Sequence, residues 1–322
     1  IASKLDVSPV EAVVFCTEEF RIEAPLTSID KLRLTVARIR ENEERLPALI
    51  ERAHPLFEKL CHSTSAGPVE VLRYLHDLTL QRFDINEVVD ESGNPTIFAA
   101  TRQIGDSLDI GRTKAKLILR LLALVGLIRP VPVRELPEAV TGRLKNWKLK
   151  RQYASVPFHI GIPDYSDARW REMFDDRLVR LAQVPIQHRL MTYDALTEFF
   201  GPEIAEYVYP EANWYAHANG HRRATEHRGR ILDIIDQLVH EGGFAREVDV
   251  IDTFLHSTNY RRSRAEKEYK YNIEILLYLY PELCRRQLTK SEKRNLGVSW
   301  NWGKATIIAP SSTRELGCVD GD

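Results

Sequence analysis

Thiols are scarce in this 322-residue sequence, and neither sign of charge is in surplus. Its four cysteines, Cys16, Cys61, Cys284 and Cys318, stand far apart with no Cys-x-x-Cys pair, so neither a disulfide framework nor a zinc site is written into the chain. Sparse, scattered thiols read as a reduced, cytoplasmic protein. Lysine and arginine number 45 against 46 acids, a net charge of −1, which excludes attraction of a polyanion by the overall field. Any affinity for nucleic acid must then come from local patches. No apolar run approaches the ~18 residues that span a bilayer, and no basic-then-apolar leader opens the chain, so no membrane partner is expected. Also missing are a Gly-rich acidic strand and a nucleotide-cradling loop, so the sequence gives no positive sign of catalysis.

What is present is helix. The hydrophobic share of 43% over this length supports two or three buried cores. The central stretch is TRQIGDSLDIGRTKAKLILRLLALVGLI, residues 101–128, which reads as a helix-turn-helix. Ile104, Leu108 and Ile110 give the apolar side of a short first helix and its turn, and Gly111 stands as N-cap of the next. On a 3.6-residue repeat Ile118, Leu121, Leu122 and Val125 share one face, while Arg112, Thr113, Lys116 and Arg120 cluster opposite. Gly126 ends that helix, and Leu127-Ile128-Arg129 begins an extended segment. Helix, turn, helix and strand in this order predict a winged-helix module, with a wing expected within residues 129–162. Inside that wing, residues 141–152 hold Arg143, Lys145, Lys148, Lys150 and Arg151 around Trp147 with no acid. A positive loop beside a helix-turn-helix is what phosphate contact requires. Trp147 either stacks on a base or anchors the loop; the sequence leaves both open.

Helical spacing recurs on either side. Residues 29–60 read as a helical linker in which Pro47 and Pro55 start or kink helices. Residues 68–80 read as the first helix of the winged module, and Asp90 to Pro95 as a turn between short strands. Asp167 and Thr192 are the expected caps of two further helices, the second interrupted at Gly201-Pro202. Residues 216–244 offer either a second helix-turn-helix or a plain bundle, followed by the alternating Val248, Val250 and Phe254. Their polar start gathers Arg222, Arg223 and Arg230, suited to phosphate, with His217, His221 and His227, whose metal-ligand spacing Asn219-Gly220 is expected to break. Further on, Arg261, Arg262, Arg264, Lys267 and Lys270 precede an apolar run, and residues 288–296 and 304–309 read as a small helix and a closing strand.

The first 26 residues carry Lys4-Leu5, Ser8-Pro9, Glu11-Ala12 and Glu19-Phe20. In this spacing they resemble the segment that follows the last ligands of the primase-type Cys-His-Cys-Cys zinc finger, found in bacterial primases and in proteins of phages, plasmids and integrated elements. The resemblance implies zinc ligands upstream of Ile1 and none in this chain. A fainter similarity covers residues 158–181, where Ile162-Pro163-Asp164-Tyr165 matches a segment behind such fingers. Together these readings give a mainly α protein of consecutive helical and winged-helix modules with a few short strands. Its expected divisions are 1–26 (finger remnant), 27–66 (linker), 67–162 (winged helix), 163–258 (helical) and 259–322 (small C-terminal module). The expected function is DNA binding by a replication or maintenance protein of a mobile element, with replication proteins as further partners. The alternatives are a winged-helix transcription regulator and a docking scaffold for a replication enzyme.

Overall fold

The computed structural model describes residues 26–60, 67–82, 93–132, 135, 158–185, 187, 190–210, 214–295 and 306–311. Among them are eleven helices and six short strands, so the protein is mainly helical. Two compact units divide the chain, Ile1–Trp214 and Tyr215–Asp322. No described helix is long and apolar enough to cross a membrane.

Unit 1 opens with α1 (Leu26–Leu60), a 35-residue helix that runs through Pro47 and Pro55 without ending at either. Thr35, Ile39, Asn42, Leu46, Leu49, Ala53 and Leu56 are buried at alternating steps of three and four, and both prolines face water. A stripe that regular holds a helix together by packing where propensity alone would break it. The buried Asn42 ties α1 to the middle of the chain, donating to the Pro163 carbonyl at 2.8 Å and accepting from the Tyr165 amide at 3.0 Å.

There follow α2 (Pro68–Arg82), β1 (Thr96–Ala99), α3 (Thr101–Leu108), α4 (Arg112–Val125), β2 (Arg129–Pro130) and β3 (Phe158–Gly161). The three strands form one antiparallel sheet in the order β1-β3-β2, with Ile97 opposite Ile160 and Pro130 also opposite Ile160. Of the turn expected near residues 90–95 and the wing between β2 and β3, residues 83–92, 133–134 and 136–157 lie outside the described residues.

From Leu117 to Val125 every residue of α4 except Arg120 is buried, because the run LILRLLALV is apolar on nearly all sides and must be surrounded. Its C-terminus is closed by side chains far along the chain. Gly126 takes φ 89°, which only glycine adopts readily, and a Cβ there would come within 2.7 Å of the Met173 methyl. The Trp170 indole donates to the Gly126 carbonyl at 2.8 Å, the Tyr165 hydroxyl to the Leu127 carbonyl at 2.7 Å, and the Arg177 guanidinium to the Ala123 carbonyl at 3.0 Å. These groups belong to α5 (Ala168–Gln183), capped as expected by the Asp167 carboxylate on the Trp170 amide, and to the segment before it. Tyr165 thus gives the Ile-Pro-x-Tyr segment a structural duty. Its ring stacks toward Trp170, and its hydroxyl sits 3.4 Å from the buried His76 Nε2. Burial holds the imidazole of His76 down at about 4, and that of His159 likewise at about 4.

Unit 1 ends with α6 (Tyr193–Phe200), capped by the Thr192 hydroxyl on the Ala195 amide, and α7 (Pro202–Val208), separated at Gly201 as the Gly-Pro pair predicts. Of the two, α7 packs on α4 and β2, and the Tyr207 hydroxyl donates to the Ile128 carbonyl at 3.2 Å.

Unit 2 is built on α8 (Trp214–Gly242), one helix of 29 residues. Residues 216–244 are therefore not a helix-turn-helix, and Asn219-Gly220 does not interrupt them. After β4 (Ala245–Arg246) come α9 (Glu247–His256), α10 (Arg262–Leu279), β5 (Leu283–Gln287), α11 (Lys290–Asn295) and β6 (Thr306–Pro310). Val248, Val250 and Phe254 lie on helix α9 and not in an extended segment. Val250 and Phe254 are one turn apart and both buried, a spacing that serves a helix as well as a strand, and Glu247 and Asp249 in the first turn favour the helix. The sheet order is β4-β6-β5, antiparallel throughout. Ile231, Ile234 and Ile235 of α8 share a core with Val250, Phe254, Tyr269, Ile273, Leu276 and Ile308. Thr289 and Glu292 exchange the two hydrogen bonds of a capping box at α11, and Glu292 also holds Arg286 at 2.6 Å. Residues 312–322 lie outside the described residues.

Candidate nucleic-acid interface

The helix pair foreseen from residues 101–128 is α3 and α4, and its turn is set by two backbone constraints. Asp109 adopts the left-handed region at φ 51°, a conformation that aspartate tolerates better than most residues. Gly105 lets the turn fold back against α3: its carbonyl accepts from the Ile110 amide at 2.9 Å, and a Cβ there would meet the Ile110 carbonyl at 2.7 Å. Gly111 then stands at the N-cap of α4 as foreseen, its carbonyl accepting from Ala115. The turn thereby brings the first two turns of α4 to the surface.

Arg112, Thr113 and Lys116 are exposed there. Partial burial and then the neighbouring Arg120 and Arg112 charges hold the Lys116 ammonium below the ordinary lysine value. Cations that disfavour one another in this way gain when an anion approaches. Arg120, two turns in, does not share that position. It is half-buried, with its guanidinium 4.5 Å from the centre of the Tyr209 ring at the end of α7, and its Nε is buried without a hydrogen-bond partner among the described residues. Sequence periodicity puts Arg120 on the face of Lys116, but α7 occupies that face. Arg143, Lys145, Lys148, Lys150, Arg151 and Trp147 lie outside the described residues.

On α8 the three arginines part company. Arg222 is exposed and pairs with Glu226 at 3.7 Å, Arg223 is exposed, and Arg230 donates to the Ser257 carbonyl at 3.1 Å, closing the end of α9. His227 turns inward, between the Tyr260 hydroxyl at 3.2 Å and the Glu268 carboxylate at 3.4 Å. His221, six residues earlier, is roughly 240° away around the same helix, so the two imidazoles cannot share an ion from one face. The side chain of His217 lies outside the described residues.

Four acids whose pairing could suit a catalytic metal, Asp175 with Asp176 and Asp249 with Asp252, are each turned to an arginine. Asp175 meets Arg52 at 2.5 Å, Asp176 meets Arg180 at 3.8 Å, Asp252 meets Arg262 at 2.9 Å, and Asp249 is chelated by Arg246. Carboxylates so neutralised are surface and cap pairs.

Sequence reading noted, but did not assign, the cations of α10. RSRAEKEYKYN mixes lysine, arginine and glutamate, and in one dimension reads as a solvated face. In three dimensions the signs separate, because the acids have partners and Lys267 and Lys270 stay exposed. Comparisons with protein-family models, curated proteins and solved structures return no match, so the functional reading rests on this geometry.

Proposed function

We propose that the chain is a DNA-binding protein acting through winged-helix modules, in the replication or maintenance of a mobile element. One observation carries the DNA-binding reading. Around the α3–α4 pair the chain runs helix, strand, helix, helix, strand, strand, with the strands ordered β1-β3-β2, and the second helix of the pair begins with an exposed Arg112, Thr113 and Lys116. In helix-turn-helix proteins the N-terminal residues of the second helix are those that approach base edges and flanking phosphates. The mechanism is binding and not chemistry. Side chains at 112, 113 and 116 contact the backbone or groove, and Arg143, Lys145, Lys148, Lys150 and Arg151 of the wing hold phosphates beside it. Arg222 and Arg223 add positive surface on α8. The replication setting rests on the resemblance of the first 26 residues to the primase-type finger segment.

A second reading, a docking scaffold, draws support from the covering of the later turns of α4 by α7, which leaves α4 a small basic surface at its first turns. Binding of the chain to a mixed-sequence DNA duplex over a salt series separates the two. Expected is binding whose logarithmic salt slope falls by about two when Arg112→Ala and Lys116→Ala are combined, since each lost phosphate contact removes about 0.9. Absence of binding at low salt, with capture of a replication protein in the absence of nucleic acid, selects the scaffold.

A further inference from the structure

The two units repeat one topology. Unit 1 runs α2, β1, α3, α4, β2, β3 with strand order β1-β3-β2, and unit 2 runs α8, β4, α9, α10, β5, β6 with strand order β4-β6-β5. In both, the first strand pairs with the last and the last pairs with the middle one, all antiparallel. Laid on each other by this order, α10 takes the place of α4. In unit 2, α11 stands between the last two strands.

The α10 helix is amphipathic along its length. Ala265, Tyr269, Asn272, Ile273 and Leu276 are buried, and Ser263, Arg264, Lys267 and Lys270 are exposed on the opposite side, with Arg261 exposed at its N-cap. Its acids are drawn away from that exposed stripe. Glu266 pairs with Arg262 at 3.3 Å, Glu268 faces His227 at 3.4 Å, and Glu274 pairs with Arg285 at 3.2 Å. Arg264 lies flat on the Tyr260 ring, 4.0 Å from its centre, which holds the guanidinium in one place at little further entropic cost. Arg264, Lys267 and Lys270 follow one another at three-residue steps, so their charges form a row along the helix. A row of cations on an open helix face matches a phosphate backbone.

We infer that α10 is a second DNA-contacting helix, placing Arg261, Arg264, Lys267 and Lys270 against the phosphates of a duplex. This rests on the DNA-binding reading above. The test uses the full chain and a 30-base-pair mixed-sequence duplex labelled for fluorescence anisotropy, titrated between low and moderate salt. Four forms are compared, the unaltered protein, Lys267→Ala with Lys270→Ala, Lys267→Glu with Lys270→Glu, and Arg112→Ala with Lys116→Ala, each first checked for an unchanged circular-dichroism melt. Removing the two charges is expected to weaken binding at least tenfold at low salt and to lower the salt slope by about two, and reversing them to weaken it further. The Arg112→Ala, Lys116→Ala pair is expected to lower the slope by a like amount, since it too removes two phosphate contacts. If the unaltered protein binds and both α10 variants match it in affinity and slope, the assignment of α10 is overturned while the DNA-binding reading stands. If the unaltered protein does not bind the duplex at low salt, the underlying reading fails, and α10 with it. Preferential binding of a single-stranded oligonucleotide of the same sequence, unaffected by the lysine changes, also overturns the proposal.

Discussion

In unit 1 the second helix of the pair, α4, has nine of its fourteen residues buried, whereas its counterpart in unit 2, α10, has six of eighteen. The same order of elements thus carries two different kinds of helix. From Leu117 onward the α4 helix is enclosed, with α7 against Arg120 and the carbonyls at its end hydrogen-bonded by Tyr165, Trp170 and Arg177. The α10 helix keeps one side in water and directs its acids to neighbours. Topology places a helix, but the composition of its far side decides whether that helix is a scaffold or a binding surface.

The sharpest way to break this comparison is at Arg177. Its buried guanidinium is what closes the Ala123 carbonyl, and charge-assisted hydrogen bonds of this kind contribute about 1.5–3 kcal/mol each. Arg177→Ala is expected to lower the stability of unit 1 by about 3 kcal/mol and to leave a separate unit 2 transition where it was. Denaturant unfolding followed by tryptophan fluorescence and by circular dichroism checks this. Equal losses in both transitions would show that the units do not hold their cores independently.

Acid is the next lever. Burial holds folded His76 at about 4, below its ordinary value of 6.5, so the unfolded chain takes up the proton first as pH falls. The contribution of a neutral His76 is complete above pH 6.5, is lost progressively between 6.5 and about 4, and changes no further below that. His159, also held at about 4 by burial, acts in the same sense. Unit 1 is expected to lose up to about 3 kcal/mol over this window on account of His76, and His76→Leu to flatten the pH dependence. Stability of unit 1 measured at pH 7 and pH 4.5 in both forms decides it, and parallel curves would refute it.

The smallest effect is expected at Arg120. Because its guanidinium already lies on Tyr209, Arg120→Ala should leave the salt dependence of DNA binding unchanged while costing about 0.5–1 kcal/mol of stability. A fall in salt slope equal to that of Lys116→Ala would place Arg120 back in the interface and narrow the difference between the two units.

Much of the local structure was legible from residue order. Asp167 and Thr192 cap the helices they were expected to cap, Gly126 ends α4, and Gly201-Pro202 separates α6 from α7. Where reading failed, the signal was shared by two structures or came from afar. The prolines at 47 and 55 were expected to start or kink helices, and neither starts one, because a buried stripe at three- and four-residue steps carried α1 through both. Asn219-Gly220 looked like a break, and α8 runs through it. The helix pair of unit 2 that stands in the place of α3–α4 is α9–α10, beyond the 216–244 stretch where the sequence offered a helix-turn-helix or a plain bundle, and Val248, Val250 and Phe254, which suit either periodicity, lie on its first helix. Of the candidate contacts, Arg112, Thr113 and Lys116 stand at the surface where periodicity put them, and Arg120 does not.

Residue order alone determined the two ends of α4 and the starts of α5, α6 and α7, and that the run from Leu117 to Val125 has to be enclosed, since caps and apolar periodicity act within a turn or two of themselves. Only the tertiary structure decided which arginines meet water. Arg120 is covered by Tyr209 and Arg177 is drawn beneath Ala123, each from tens of residues away, while Lys267 and Lys270 are left exposed because their neighbouring glutamates found partners elsewhere. Charge is a local property of a side chain; its availability depends on what the rest of the chain lays over it.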